Sequence, residues 1–129
     1  MNFYRVLLII ICMSLLGCAT TANGLRKDIT PIKYSSTIPS KTLATCIKDE
    51  WRNITDNPAI LVQLLELPNG YSVTFGAYLT QYNTYDTSHL VDLINTKSGT
   101  NILHYDHTIF GGNNAAKLGV IKCLASKNH

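Results

Sequence analysis

Hydrophobic and polar positions follow three regimes along this chain. From Val6 to Leu16 nearly every residue is apolar and no polar face interrupts the run, which is shorter than the roughly 20 residues a helix needs to cross a hydrocarbon core. From Ala19 to Pro39 the text "ATTANGLRKDITPIKYSSTIP" sustains neither a helical nor a strand period. It reads as a flexible tether, its ends on the order of 25 Å apart. The same residues also allow Ile29 to Tyr34 to lie along a domain as an edge segment.

From Ser40 the period becomes helical. Pro39 and Ser40 are a start signal, with Ser40 as the expected N-cap. Leu43, Cys46, Ile47 and Trp51 recur at spacings of three and four, with Lys41, Lys48, Asp49 and Arg52 pointing away. Such spacing puts the apolar set on one helix face. Asn53, Asp56, Asn57 and Pro58 end the helix.

Two hairpins follow. In "LVQLLELPNGYSVTFGAYL" the loop Pro68-Asn69-Gly70 suits a three-residue connection with glycine in the left-handed position. That register pairs Leu67 with Tyr71, Leu65 with Val73, Gln63 with Phe75 and Leu61 with Ala77. A two-residue Asn69-Gly70 turn would set Glu66 against Val73 and mix the faces. In "HLVDLINTKSGTNILHYDH" the loop Lys97-Ser98-Gly99 pairs Leu93 with Leu103 and Val91 with Tyr105, and sets Asp92 opposite His104. A last helix runs from Asn113 or Asn114 to Ser126. Its stripe is Ala116, Val120, Cys123 and Leu124, and Gly119 at mid-helix predicts a close approach to a neighbouring backbone. The expected fold is α+β in the order α-β-β-β-β-α: a four-stranded antiparallel sheet of two hairpins packed against N- and C-terminal helices.

A chain of 129 residues supports one domain. Its first segment has Arg5 before the short apolar run and small Gly17 after it, the arrangement of a secretory signal peptide. Leu15-Leu16-Gly17-Cys18 resembles the lipobox of bacterial lipoproteins; Leu16 is bulkier than that pattern's usual small residue. The resemblance implies a diacylglyceryl group on the Cys18 sulfur and cleavage before it. The division expected is a signal peptide over 1–17, a lipidated N-terminus and tether over 18–39, and the domain over 40–129. Two or more acyl chains would hold such a protein in a membrane, at about 0.8 kcal/mol per buried methylene. Ala19 after the cysteine implies the periplasmic face of the outer membrane, with the inner membrane as the alternative.

The cysteines follow from that address. Cys12 leaves with the leader and Cys18 takes lipid, so Cys46 and Cys123 remain in an oxidising compartment and are expected to pair, clamping the two helices. The formal charge is +3, or about +2 once Arg5 is removed. With no basic stripe, the chain predicts no nucleic-acid partner.

Candidate chemistry is sparse. In "HYDH", His104 to His107, a strand places His104 and Asp106 on one face and Tyr105 and His107 on the other, so the two imidazoles do not converge on one ion; surface or strand-end histidines are the expectation, with no metal and no cofactor. Asp92 opposite His104 is the start of a hydrolase triad, but no G-x-S-x-G elbow accompanies it. Gly111-Gly112-Asn113-Asn114 before a helix is a generic anion-binding turn, which any strand-to-helix connection also needs. Asn53-Ile54-Thr55 fits a glycosylation sequon that a bacterial lipoprotein would not use. "YLTQYNTYDTSH" interleaves Tyr78, Tyr82 and Tyr85 with polar residues, as contact loops do. The expectation is a membrane-anchored, non-enzymatic binding or accessory component of a cell envelope, with those tyrosines as its contact surface. An inhibitor or exclusion lipoprotein acting on an envelope enzyme or receptor is the alternative, and a small hydrolase ranks last.

Overall fold

The computed structural model describes residues 20–107 and 114–126. In chain order these form α1 (Ala22–Asp28), β1 (Ile32–Ser36), α2 (Ser40–Arg52), β2 (Ile60–Leu67), β3 (Gly70–Leu79), a 3-10 turn (Thr80–Tyr82), β4 (Thr84–Thr96), β5 (Gly99–Asp106) and α3 (Ala115–Ala125). The architecture is α+β, as the periodicity predicts. The sheet has five strands rather than four, in the order β1-β5-β4-β3-β2, and every neighbouring pair is antiparallel. Among the described residues no helix is long and apolar enough to cross a membrane.

The fifth strand and the extra helix come from the stretch expected to be a tether. Ile32–Ser36 pairs with β5, Tyr34 opposite Ile102, so the edge-segment alternative describes this part of the chain. Before it, Thr21 caps α1 by accepting the Gly24 N–H at 3.0 Å. Leu25 is fully buried with Leu90 and Tyr105 beneath this helix. Thr20 is tied to the start of β4, its N–H donating to Asp86 Oδ1 at 2.8 Å and its carbonyl accepting from Thr87 N–H at 2.8 Å. The expectation fails because seven residues with a single apolar anchor are too few to show a period, yet that anchor and one ion pair suffice to dock them.

Both hairpins are shifted by one residue from the predicted register. Leu67 pairs with Gly70 and Leu65 with Ser72; Thr96 pairs with Gly99, Asp92 with Leu103 and Val91 with His104. The loops are therefore the two-residue Pro68-Asn69 and Lys97-Ser98, and each glycine opens the next strand. Gly70 and Gly99 have φ of 150° and 154°, and a Cβ at Gly70 would stand 1.8 Å from the Leu93 carbonyl oxygen. Glycine is required at both positions by this positive φ, which L side chains rarely adopt, and by the close passage of other backbone, while neither glycine lies within the loop itself. Because side chains alternate, a one-residue shift exchanges faces.

The resulting inner face carries Val62 and Leu64; Tyr71, Val73 and Phe75; His89, Val91 and Leu93; and Ile102 and His104. α2 and α3 cover it with Leu43, Ala44, Ile47, Trp51, Ala116, Val120 and Cys123. Cys46 and Cys123 are disulfide-bonded with Cα atoms 5.9 Å apart, which clamps the two helices as expected. On the chain-entropy account a bridge across a sequence separation of 77 stabilises by about 4.5 kcal/mol. Ser40 is not the cap: Pro39 holds that position, and the Ser40 hydroxyl, in the first turn, donates to Asn95 Oδ1. The close approach predicted at Gly119 is to side chains of α2, with a Cβ there 3.3 Å from both Glu50 Cβ and Trp51 Cδ1.

Candidate functional site

The outer face of the sheet is covered unevenly. α1 lies over β4 and β5, where Arg26 forms a two-pronged ion pair with Asp92, Nε to Oδ2 at 2.7 Å and Nη2 to Oδ1 at 2.8 Å, and Nη2 also donates to Ser72 Oγ at 3.2 Å. That hydrogen-bonded carboxylate holds the guanidinium more firmly protonated against the opposing effect of burial. Toward β2 and the 3-10 turn no described helix follows. Leu61 is 44% exposed, Leu65 55%, Tyr78 44% and Tyr82 67%, so a strip of large apolar groups faces solvent.

The three tyrosines of "YLTQYNTYDTSH" have different roles. Tyr78 and Tyr85 face each other across β3 and β4. The Tyr85 ring crosses Gly76, where a Cβ would lie 2.9 Å from Tyr85 Cζ, and its hydroxyl donates to the Leu61 carbonyl at 2.5 Å. Burial raises its pKa. Tyr85 thus binds three strands together, whereas Tyr82 stands free on the turn and Tyr78 beside it hydrogen-bonds Asn83 Oδ1. Asn83 closes the turn in the left-handed conformation, φ 48°. Leu61 and Leu65 are not expected in this strip, because the predicted register pairs them inside an apolar face. Gly76 within a strand is the sequence signal for Tyr85's crossing, since interior strand glycines mark close approaches.

His107 follows the end of β5 and is half-buried, as expected of a strand-end histidine, whereas His104 and His89 are neither surface groups nor part of a triad. His104 is fully buried on the inner face, with His89 beside it at a ring separation of 5.6 Å and Trp51 above it at 6.2 Å. Their Nδ1 atoms and His104 Nε2 have no hydrogen-bond partner, and neither does Asp106 Oδ1, which lies 3.5 Å from His89 Nδ1. Burial lowers the pKa of both imidazoles, that of His104 to about 4, where His89 adds to the shift. Both rings are therefore neutral above mildly acidic pH. Asp92, expected opposite His104, projects from the other face into its ion pair with Arg26, so acid, base and nucleophile do not meet. Tyr105 also lies under α1, its pKa raised by burial.

Among the described residues no group of three His, Cys, Asp or Glu side chains is placed to hold a metal ion. A groove of about 830 Å³ runs beside the disulfide, lined among others by Lys41, Asp49, Glu50 and Ser126; it joins solvated charges to the clamp between α2 and α3. Cys18 with its lipobox, and Gly111 to Asn113 of the glycine-rich turn, lie outside the described residues; Asn114 precedes α3 and makes no side-chain cap hydrogen bond. Comparison with protein-family models, curated proteins and solved structures finds no match to this chain.

Proposed function

We propose that this protein is a non-enzymatic binding component of a bacterial cell envelope, lipid-anchored through Cys18 on the periplasmic face of the outer membrane, with Tyr78 and Tyr82 at the centre of its contact surface. The observation that carries the reading is the exposed strip of Tyr78, Tyr82, Leu61 and Leu65 on the part of the outer sheet face and its turn that α1 leaves uncovered. Exposed aromatic and aliphatic groups gathered on one face are the usual mark of an interaction site. Tyrosine adds rigid contact area with a polar tip.

Anchoring and contact are linked by geometry. Thr20 is hydrogen-bonded to Asp86 and Thr87, and Cys18 precedes it by two residues, a reach of at most about 7 Å. A lipid on Cys18 therefore holds the outer, α1-bearing face of the sheet toward the bilayer, without the spacer that the sequence suggests. The tyrosine turn adjoins the same start of β4, so its partner is itself membrane-adjacent.

Crosslinking in cells followed by mass spectrometry tests this reading. A stable multi-protein complex is expected; recovery of one enzyme or receptor alone would favour the inhibitor alternative. Replacing Tyr78 and Tyr82 together by Ala is expected to abolish recovery with the melting temperature unchanged. Undiminished recovery from that double variant would remove the surface from consideration, and failure of labelled palmitate to enter the chain would remove the anchor.

A further inference from the structure

The two edges of the sheet are built differently. β1 is five residues long, follows Pro31 and carries Lys33 at its second position; a short edge strand with proline and lysine resists pairing with another chain. β2, at the other edge, is eight residues of sequence ILVQLLEL. It has no proline, no lysine and no bulge in its ladder with β3, and no described strand pairs with its outer side. Such an edge is a template for an additional strand.

Which backbone groups it offers follows from the ladder. Tyr78 N–H donates to the Ala59 carbonyl, which makes that opposed pair a hydrogen-bonded one. By alternation along an antiparallel pair, Leu61, Gln63, Leu65 and Leu67 direct their backbone groups toward β3, and Val62, Leu64 and Glu66 direct theirs outward. Ile60 points outward too, and its N–H is already taken by the Asn57 carbonyl at 3.0 Å.

We propose that β2 pairs antiparallel with β2 of a second copy of this chain, about a two-fold axis at Gln63, to make one sheet continuous through both protomers. In that register Val62 and Leu64 of opposite copies exchange hydrogen bonds in both directions, and Glu66 N–H donates to the Ile60 carbonyl left free. Leu61 meets Leu65 of the partner subunit on the outer face, twice by symmetry, so the two exposed aliphatic side chains of this strand cover each other. Val62 and Leu64 meet on the helix-covered face. Shifting the axis to Leu64 would place Pro68, which has no N–H, against Ile60 and set charged Glu66 against apolar Val62. Of these two registers, the sequence of the edge complements itself in the one centred on Gln63. A foreign strand would need no such symmetry. A two-fold interface of one strand against itself is isologous and closes at two copies, and strand pairing alone buries less than the 1,200–2,000 Å² of standard interfaces, placing the dimer among the weaker ones.

The test uses the full-length chain. At the two-fold position, Gln63 faces its own counterpart in a non-hydrogen-bonded pair, with Cα atoms about 4.5 Å apart, within disulfide reach. Gln63 is solvent-exposed, so Gln63→Cys leaves the fold intact, and under mild oxidation it is expected to give a covalent dimer on a non-reducing gel. Leu65→Cys is expected to give none, because the two copies of that position lie about 13 Å apart. Sedimentation of the purified chain should show Leu65→Lys weakening the dimer about a hundredfold, the effect of losing the aliphatic contact at both symmetry-related positions. The double variant Leu61→Glu, Leu65→Lys should restore it, each new carboxylate facing a new ammonium. Equal crosslinking at positions 63 and 65, a wild-type chain monomeric at every concentration, or a disulfide adduct of the Gln63→Cys variant with a different protein would each overturn the second copy as the occupant. The dimer covers the Leu61 and Leu65 part of the exposed strip and leaves Tyr78 and Tyr82 open, so partner recovery through those tyrosines is read separately from dimerisation.

Discussion

The two faces of the sheet are closed by different means. On the inner face α2 and α3, far apart in sequence and joined by Cys46 and Cys123, bury a continuous apolar layer centred on Trp51, Val91 and Ile102. On the outer face seven residues of α1 contribute one buried leucine and one ion pair, and the rest of that face stays open. Apolar burial is additive in area and tolerant of angle, so the inner face can carry the stability of the domain. A bidentate ion pair contributes less net energy but specifies position. The inner face therefore holds the fold, and the outer face sets where the N-terminal arm lies and what remains accessible.

The strongest way to break this comparison is to empty the inner face. Trp51 is fully buried, meets Phe75 edge-on at 6.0 Å and donates from Nε1 to the Ala116 carbonyl at 2.9 Å. Trp51→Ala creates a cavity and orphans that buried carbonyl, and is expected to cost about 4–5 kcal/mol. Urea unfolding reads it directly. A loss under about 2 kcal/mol would mean that the inner face is not where the stability resides.

The next effect also lies on the inner face, and its sign is opposite to that of a salt-bridged histidine. His104 is neutral in the folded protein down to about pH 4, whereas in the unfolded chain it gains a proton near pH 6.5. Below pH 6.5 the unfolded state binds the extra proton, so stability is full above that value, falls as pH drops toward 4 and then levels off. At about 1.4 kcal/mol per pH unit, His104 accounts for a loss of about 3 kcal/mol across that window, and His89, also lowered by burial, adds in the same direction. The groups facing the pair are Trp51 on α2, Asp106 on β5 and Lys117 on α3. His104→Leu should flatten the dependence of the urea midpoint on pH between 4 and 6.5. An unchanged slope would show that the imidazole already carries its proton when folded.

How much of this is legible in the sequence follows the same division. The inner-face helices are readable because thirteen and eleven residues give the apolar stripe several repeats, and the disulfide follows from a cysteine count once the segment expected to be a leader is set aside. The outer face is not. Nothing local distinguishes Leu25 and Arg26 as anchors, since their partners Leu90 and Asp92 lie on another strand far along the chain. The hairpin glycines are equally compatible with a loop or a strand-opening position, and choosing the loop moves Asp92 to the side of His104 and turns Leu61 and Leu65 inward. Composition singles out the tyrosines, but Gly76 marks only that a close crossing occurs, and the pairing of β3 with β4 is needed to assign it to Tyr85, which ties strands together, rather than to Tyr78 or Tyr82.

The smallest effect sharpens the contrast, because it separates docking from folding. Arg26→Ala leaves the Asp92 carboxylate, 8% exposed, with no charged partner. For a fully buried pair that loss costs about 3–5 kcal/mol, and since the Arg26 side chain is 32% exposed the expected cost falls to about 2 kcal/mol. The loss should be local. Amides of α1 that depend on the docked helix, Leu25 bonded to the Thr21 carbonyl and Ile29 to that of Leu25, should lose hydrogen-exchange protection, while the Leu43 amide at the start of α2 keeps most of its own. Arg26→Lys, which retains charge but not the fork, should fall between the two. If instead α1 and α2 amides exchange together in Arg26→Ala, the arm is part of the cooperative core, and the outer face holds the fold as much as the inner one does.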